Sequence, residues 1–292
     1  MSPTPIEASG TFILAADSND PMTVRRLGFG AMRITGAGIW GDPPDRATAV
    51  AVLREAVSQG VDFIDTADSY GPGTSEDLIR EALHPYDGLL IATKGGLTRQ
   101  GPDLWAPVGR PEYLRQSLHM SLRRLGVERI DLWQLHRIDP LVPTAEQFGA
   151  IREFVDEGLV RHVGLSEVTV AELEEADGIL DIVSVQNLYN VGDRSSEALV
   201  DHCTPRGIGF IPWFPLGNRA LVSTDGPLAS VAAEAGCSPA QAALAWLLQH
   251  SPVMLPIPGT GSIDHLIENC EAGRVRLSAE QMATLDALPA TA

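Results

Sequence analysis

Three consecutive segments of the chain decide its fold: LLIATKGG (residues 89–96), PEYLRQSLHMSLRRL (residues 111–125) and IDLWQLH (residues 130–136). The first and third are short apolar runs with the length of buried strands. The second opens with proline at a first helical position and ends before Gly126, where a left-handed residue is commonly needed. A strand, a helix and a second strand of these lengths predict a parallel βαβ unit.

The same alternation of apolar strands and amphipathic helices continues along the whole chain. Eight short apolar segments are strand candidates, at residues 27–32, 61–67, 89–94, 130–136, 160–166, 182–187, 209–214 and 253–258. The clearest helical patterns between them lie at residues 46–59, 111–125 and 144–157, the last with Thr144 as its capping residue. Eight strand–helix units predict a (β/α)₈ TIM barrel.

A single α/β barrel domain accounts for residues 1–292, because this fold typically takes about 250 residues. We expect an N-terminal β-hairpin from residues 11–14 and 22–26, an extra C-terminal helix, and a flexible segment over residues 1–10. A doubly wound open sheet is the alternative architecture. Its phosphate loop needs three spaced glycines before a helix, and LGFGA (residues 27–31) has two, so the barrel is favoured.

Composition and charge exclude several classes of protein. The net charge of −17 disfavours nucleic acid as a partner, because binding a phosphate backbone relies on clustered Lys and Arg. No apolar stretch reaches the roughly 18 residues of a membrane helix, and no signal peptide is recognisable, so we expect a cytoplasmic protein. Cys203, Cys237 and Cys270 form no CxxC pair. We expect reduced thiols and no metal site.

Candidate catalytic residues follow the second, third and fourth strands. Asp65 and Tyr70 lie in DTADSYG (residues 65–71), Lys94 ends the third strand, and His136 ends the fourth. The carboxyl ends of all strands in a TIM barrel meet at one mouth, so these side chains are expected to lie together. A lysine that ends an apolar strand needs a partner, since burying an unpaired ammonium is costly. Asp65, on the adjacent strand, is that partner.

This set of side chains suits the reduction of a carbonyl group. Hydride transfer to a carbonyl carbon leaves negative charge on the oxygen, which calls for a proton donor and electrostatic stabilisation. Tyr70 is a poor acid at its unperturbed pKa near 10, and a neighbouring Lys94 cation is expected to lower that pKa. Asp65 would hold Lys94 in place, and His136 would orient the carbonyl oxygen by a hydrogen bond.

Several motifs resemble those of the aldo-keto reductase superfamily in order and spacing, from about residue 27 to residue 269. They are residues 65–71, Thr93-Lys94, Leu135-His136, Gly164-Leu165-Ser166, Val185-Gln186-Asn187, Ile257-Pro258-Gly259-Thr260 and Glu268-Asn269. The resemblance implies a catalytic tetrad of Asp65, Tyr70, Lys94 and His136, with Tyr70 as the general acid and base. It also implies reversible, NADPH-dependent reduction of an aldehyde or ketone to an alcohol.

Two longer runs, RLGFGAM (residues 26–32) and LIREAL (residues 78–83), are similar to a bacterial branch of the superfamily that contains pyridoxal reductases (pyridoxine 4-dehydrogenases). Pyridoxal is therefore a candidate substrate. Two alternatives stay open on the same scaffold: an NAD-linked alcohol or sugar dehydrogenase, and a cofactor-binding regulatory subunit like the β subunits of potassium channels. The intact tetrad favours an enzyme with a small-molecule carbonyl or alcohol substrate, and the sequence is silent on oligomeric state.

The resemblance further implies where NADP(H) binds. Ser166 and Gln186 correspond to residues that bind the nicotinamide carboxamide, and Trp213 corresponds to a tyrosine that stacks on the nicotinamide ring. Adenosine-phosphate contacts are expected from the start of the helix after the eighth strand, where backbone amides suit an anion. The remaining cofactor-binding residues implied are Met32, Asp65, Phe214, Leu216, Gly217, Gly259, Thr260, Gly261, His265, Glu268 and Asn269.

The chain departs from the family pattern at three positions. Gly259 and His265 replace a lysine and an arginine found in many relatives, which weakens the expected cationic site for the 2′-phosphate. Glu167 replaces an asparagine and is expected to change the contacts of the carboxamide.

Trp40 and Trp105 lie in Gly/Pro-rich loops after strands one and three, and we expect them to line the substrate pocket.

Overall fold

The computed structural model describes residues 4–218 and 220–289. Its strands are β1 (Thr11–Leu14), β2 (Met22–Arg25), β3 (Phe29–Gly30), β4 (Phe63–Asp65), β5 (Leu90–Gly95), β6 (Leu97–Gly101), β7 (Leu104–Pro107), β8 (Ile130–Leu135), β9 (Val160–Ser166), β10 (Ile182–Gln186) and β11 (Gly209–Phe210). Seven of them form one parallel sheet in the order β11-β10-β9-β8-β5-β4-β3. β1 and β2 pair as the expected antiparallel hairpin, and β6 and β7 form a second hairpin.

Helices follow the strands and cover the outside of the sheet. They are α1 (Pro5–Ala8), α2 (Arg46–Ser58), α3 (Thr74–Leu83), α4 (Pro111–Leu125), α5 (Thr144–Asp156), α6 (Val170–Asp177), α7 (Glu197–Cys203), α8 (Ala229–Ala235), α9 (Pro239–His250), α10 (Ile263–Glu271) and α11 (Ala279–Asp286). α11 is the expected extra C-terminal helix. Among the described residues, no helix is both long enough and apolar enough to cross a membrane.

The barrel closes through the eighth segment, which is not a regular strand. The Phe210 amide donates to the Val253 carbonyl (2.8 Å), and the Leu255 amide donates back to the Phe210 carbonyl (2.7 Å). On the other side, the Gly28 amide donates to the Pro256 carbonyl (3.0 Å). Proline has no N–H and cannot continue a ladder of hydrogen bonds. The prolines of this segment therefore explain why the eighth strand is irregular although it occupies the predicted place.

Inside the barrel, the inward-facing side chains of the strands form an apolar layer with a polar layer above it. Phe63, Ala92 and Leu132 belong to the buried interior cluster of β4, β5 and β8. Two residues further along each strand, the same face carries Asp65, Lys94 and Gln134, which contact one another. Because side chains on one face of a strand recur every second residue, the pleat itself points these three polar groups inward. The hairpin β1–β2 adds its side chains to the same interior cluster.

Two sequence-based expectations concern local segments of the chain. Flexibility over residues 1–10 stays a prediction; within that range Thr4 caps helix α1 with a capping box and Ile6 is fully buried, and residues 1–3 lie outside the described residues. Thr144 was expected to cap α5, but Pro143 occupies the capping position and the Thr144 hydroxyl bonds the Glu175 carboxylate instead. All three cysteines are unpaired, as expected.

Candidate active site

A buried ion pair lies at the carboxyl end of the barrel interior. Lys94 is fully buried, and its ammonium donates to Asp65 Oδ1 (2.5 Å), to the Thr66 carbonyl (2.9 Å) and to the Tyr70 hydroxyl (3.5 Å). Each of the three ammonium protons therefore has an acceptor. Lys94 is also the only lysine in the chain; the other 20 of its 21 Lys and Arg residues are arginine.

Two glutamine amides hold the second oxygen of Asp65. Asp65 Oδ2 accepts from Gln134 Nε2 (3.0 Å) and from Gln186 Nε2 (2.9 Å). Sequence reasoning assigned Gln186 to the nicotinamide carboxamide and missed this contact with Asp65. It also missed Gln134, although a signal was present. Gln134 precedes His136 by two residues, so the strand period places both on one face.

Burial and neighbouring charges together shift the pKa values of Lys94 and Tyr70. Burial alone would lower the pKa of Lys94, but attraction to Asp65 and Tyr70 outweighs it and raises this pKa above its usual value. Burial raises the pKa of Tyr70, and the Lys94 ammonium opposes that shift without reversing it. The expectation of a lowered Tyr70 pKa is therefore wrong in its net sign, because desolvation of a phenolate outweighs one nearby cation. Tyr70 is a protonated acid at neutral pH.

His136 is buried beside Tyr70, with ring centroids 5.8 Å apart in an edge-on arrangement. Its Nδ1 lies 3.3 Å from the Ser69 hydroxyl. Burial, followed by the positive charges of Lys94 and Arg137, lowers the pKa of His136 well below its ordinary value. The imidazole is therefore neutral at pH 7, with one N–H to donate.

A cavity of about 680 Å³ opens onto these groups, a volume typical of a small-molecule site. Most of the predicted site residues line it: Met32, Asp65, Tyr70, Trp105, His136, Ser166, Gln186, Trp213, Phe214, Leu216, Gly217 and Gly259. Lining residues that sequence reasoning did not select include Gly30, Arg33, Ile39, Leu97, Pro107 and Arg137. The structure thus brings the predicted catalytic and nicotinamide residues together at one mouth.

The predicted adenosine-phosphate residues lie along the start of α10, beyond the cavity wall at Gly259. Thr260 Oγ1 accepts from the Ser262 amide (3.0 Å), and Ser262 caps the helix. Gly261, His265, Glu268 and Asn269 do not line the cavity either. A side chain at position 259 would overlap the Gly30 carbonyl oxygen. The close approach of these two backbones therefore explains why glycine stands there.

Trp40 is a correction to the predicted pocket. It does not line the cavity, and 38% of its surface is exposed. Trp105 does line it, with its ring centroid 6.4 Å from that of Tyr70. The Arg99 guanidinium lies 3.6 Å from the Trp105 ring and also donates to the Ile39 and Ser69 carbonyls (2.6 and 3.0 Å). Arg99 therefore fastens the hairpin that carries Trp105 to neighbouring loops of the mouth.

Glu167, one of the departures from the family pattern, contacts Trp213, which stands where the family has a tyrosine. The Trp213 indole N–H donates to Glu167 Oε1 (2.5 Å), which also accepts from the Leu188 amide (2.8 Å). Glu167 has a φ of 55°, a conformation uncommon for a non-glycine residue and frequent at functional sites. The hydrogen bond fixes the plane of the indole at the cavity wall. A flat aromatic face suited to stacking on a planar ring is thus retained.

A second buried carboxyl lies behind the loop that carries Tyr70. Asp68 Oδ2 accepts from the Ser117 hydroxyl (2.5 Å), and Oδ1 has no hydrogen-bond partner among the described residues. The pKa of Asp68 is raised to about 7, chiefly by burial, with the Ser117 hydrogen bond opposing the shift and nearby Glu76 adding to it. Above neutral pH this site therefore holds a poorly compensated negative charge.

Comparison with known proteins points to one family. Residues 26–290 match the Aldo/keto reductase family. An uncharacterized oxidoreductase of Schizosaccharomyces pombe is 55% identical over 91% of this chain and 87% of its own length. Pyridoxine 4-dehydrogenase of Escherichia coli is 43% identical over 96% of this chain and 99% of its own. The crystal structure of an aldo-keto reductase from Klebsiella pneumoniae in complex with NADPH is 26% identical, covers 90% of each chain and superimposes with a TM-score of 0.76.

Proposed function

The chain belongs to the aldo-keto reductase family, and on that premise we propose that it reduces pyridoxal or a closely related aromatic aldehyde, with Tyr70 as the proton donor. It is an oxidoreductase that uses NADP(H), the cofactor present in structures of its relatives. The observation that carries the proposal is the Tyr70 hydroxyl at the cavity wall, backed by the buried Lys94–Asp65 pair.

NADPH, when bound, supplies the hydride that goes to the carbonyl carbon. The chain's own residues handle the charge that develops on the carbonyl oxygen. Tyr70 is protonated at neutral pH and donates its hydroxyl proton to that oxygen. The ammonium of Lys94, 3.5 Å from the Tyr70 hydroxyl, stabilises the phenolate that remains. The neutral imidazole of His136 donates a hydrogen bond to the same oxygen.

Cofactor residues in this chain are suited to a dinucleotide. The Trp213 indole, held by Glu167, offers a flat face for the nicotinamide, while Ser166 and Gln186 lie on the same cavity wall. Residues 259–265, with the amides at the start of α10, would hold the adenosine phosphate. Asp65 already accepts from three donors, so its role is to fix Lys94 rather than to bind a ligand.

An aromatic substrate is favoured by apolar residues that line the cavity. Trp105, Leu97 and Pro107, all on the β6–β7 hairpin, line it, and the Trp105 ring lies 6.4 Å from that of Tyr70. The 43% identity to a pyridoxine 4-dehydrogenase over nearly the whole chain supports the choice of pyridoxal.

A carbonyl panel run with NADPH and with NADH tests this proposal. It includes pyridoxal, benzaldehyde, short aliphatic aldehydes, a ketose and, for the reverse reaction, pyridoxine. We expect pyridoxal to have the highest kcat/KM with NADPH, and pyridoxine to be oxidised with NADP⁺. Turnover confined to aliphatic alcohols or sugars with NAD⁺ would contradict the substrate and cofactor, and no turnover of any carbonyl would contradict the enzymatic role.

A further inference from the structure

Arg137 is a cation at the catalytic mouth that the mechanism above does not use. It follows His136 directly and lines the same cavity as Tyr70. Its Nη1 donates to the His136 carbonyl (2.6 Å) and to the Ser166 hydroxyl (3.1 Å). Across residues 4–218 and 220–289, its Nε and Nη2 groups have no hydrogen-bond partner. A partly buried guanidinium thus keeps unused donors beside the reacting groups.

Within the described residues 4–218 and 220–289, no carboxylate forms an ion pair with Arg137. Asp65 accepts from Lys94 and two glutamine amides. Glu167, the acidic residue that acts on Arg137 electrostatically, accepts from Trp213 and Leu188 and forms no ion pair with Arg137 in the described part of the chain. Buried charges in proteins are normally paired, because an unpaired one is costly. We therefore expect a ligand oxygen to accept hydrogen bonds from the unused donors of Arg137.

We propose that Arg137 binds an acidic oxygen carried on the carbon next to the one that bears the aldehyde, so that the site selects 2-hydroxyaryl aldehydes. This inference rests on the proposed function and deepens it. In the proposed mechanism the reacting carbonyl oxygen lies between Tyr70 and His136, and the Arg137 guanidinium lines the same cavity as both, with its Nη1 2.6 Å from the His136 carbonyl oxygen. A second oxygen on the same small ligand is thus placed to contact the guanidinium. Pyridoxal carries a hydroxyl at this position.

Arginine suits this task better than the other side chains of the mouth. Its planar group stays charged and presents several donors at fixed angles, which matches an oxyanion together with an adjacent carbonyl oxygen. The Ser166 and His136 contacts occupy one guanidinium nitrogen and leave the others to the ligand. Because Ser166 is also assigned to the nicotinamide carboxamide, the test separates a contact of Arg137 with the substrate from one with the cofactor.

The experiment compares two aldehydes that differ only in the relevant group, 2-hydroxybenzaldehyde and benzaldehyde. We measure kcat/KM for both with NADPH in the parent protein, in Arg137→Gln and in Arg137→Lys. NADPH dissociation constants come from fluorescence titration of the same proteins. Arg152→Gln is the control, because Arg152 lies exposed on α5, outside the cavity, where it pairs with Asp156.

We expect the parent to prefer the hydroxylated aldehyde by about 10–100-fold, the worth of one hydrogen bond between charged groups. Arg137→Gln should bring the ratio close to 1 with little change for benzaldehyde or in NADPH affinity. Arg137→Lys should give an intermediate ratio, and Arg152→Gln the parental one. An equal loss on both aldehydes, or a weaker NADPH complex with an unchanged ratio, would overturn the proposal and assign Arg137 to the cofactor or to packing.

Direct binding keeps the inference testable if the proposed function fails. Calorimetric titration of both aldehydes into the protein with NADP⁺ needs no turnover. Tighter binding of 2-hydroxybenzaldehyde that depends on Arg137 supports the inference even if no aldehyde is reduced. Equal binding of the two aldehydes in the parent contradicts it, even if both are reduced rapidly.

Discussion

Replacing Lys94 by Met tests the buried ion pair and the proposed chemistry together. The substitution keeps an unbranched side chain of similar length but removes the ammonium. Asp65 Oδ1 then loses its partner at 2.5 Å, while Oδ2 keeps its two glutamine donors. Removing one member of a buried pair typically costs about 3–5 kcal/mol. Because two donors remain on Asp65, we expect the free energy of unfolding to fall by about 3 kcal/mol.

Turnover of Lys94→Met should fall by about 10²–10⁴, because Tyr70 then loses the charge that stabilises its phenolate. Urea unfolding at pH 7 gives the stability, and steady-state reduction of pyridoxal with NADPH gives the turnover. The matched control is the double variant Asp65→Asn with Lys94→Met, which removes the orphaned charge. It should recover most of the stability and none of the activity. A single variant with parental stability and parental turnover would refute the reasoning.

Three further predictions concern other groups of the site. Tyr70→Phe should lower turnover by about 10²–10⁴ with an unchanged NADPH dissociation constant; near-parental turnover would show that another group donates the proton. Folding favours the protonated form of Asp68, because its pKa rises from an ordinary 3.8 to about 7 in the folded protein. The free energy of unfolding therefore falls as pH rises through that interval and Asp68 becomes ionised. Asp68→Asn should therefore stabilise the protein by roughly 2–3 kcal/mol more at pH 8 than at pH 5 in urea unfolding, and an equal gain at both pH values would contradict this. NADPH should bind more tightly than NADH, and His265→Arg should strengthen NADPH binding; equal dissociation constants that the substitution leaves unchanged would place the 2′-phosphate elsewhere.

Local patterns were sufficient to predict most of the architecture. Strands such as Ile130–Leu135 are buried on both faces and therefore have continuous apolar runs. Helix α4 begins at Pro111 and ends before Gly126, as its proline and glycine signals indicate. The boundaries of strands were less predictable than their order along the chain. The first barrel strand is only Phe29–Gly30, and prolines keep the eighth segment from forming a regular ladder.

The partners of the site residues depended on tertiary structure. Gln186 and Asp65 are separated by 121 positions in sequence, and only closure of the barrel brings the Gln186 amide to the carboxylate. Trp40 and Trp105 look equivalent as loop tryptophans, yet Trp105 alone lines the cavity. No local pattern distinguishes them, because the orientation of a loop depends on contacts such as those of Arg99 with distant carbonyls.

The amino-acid sequence by itself determined the order of strands and helices, the parallel barrel they form, and the strand ends that carry Asp65, Tyr70, Lys94 and His136. These features follow from periodicity and from a topology that directs all strand ends to one mouth. Only the tertiary structure decided the sign of the net pKa shift at Tyr70. That shift is a balance between desolvation and the field of Lys94, and both depend on how densely distant segments pack around the hydroxyl.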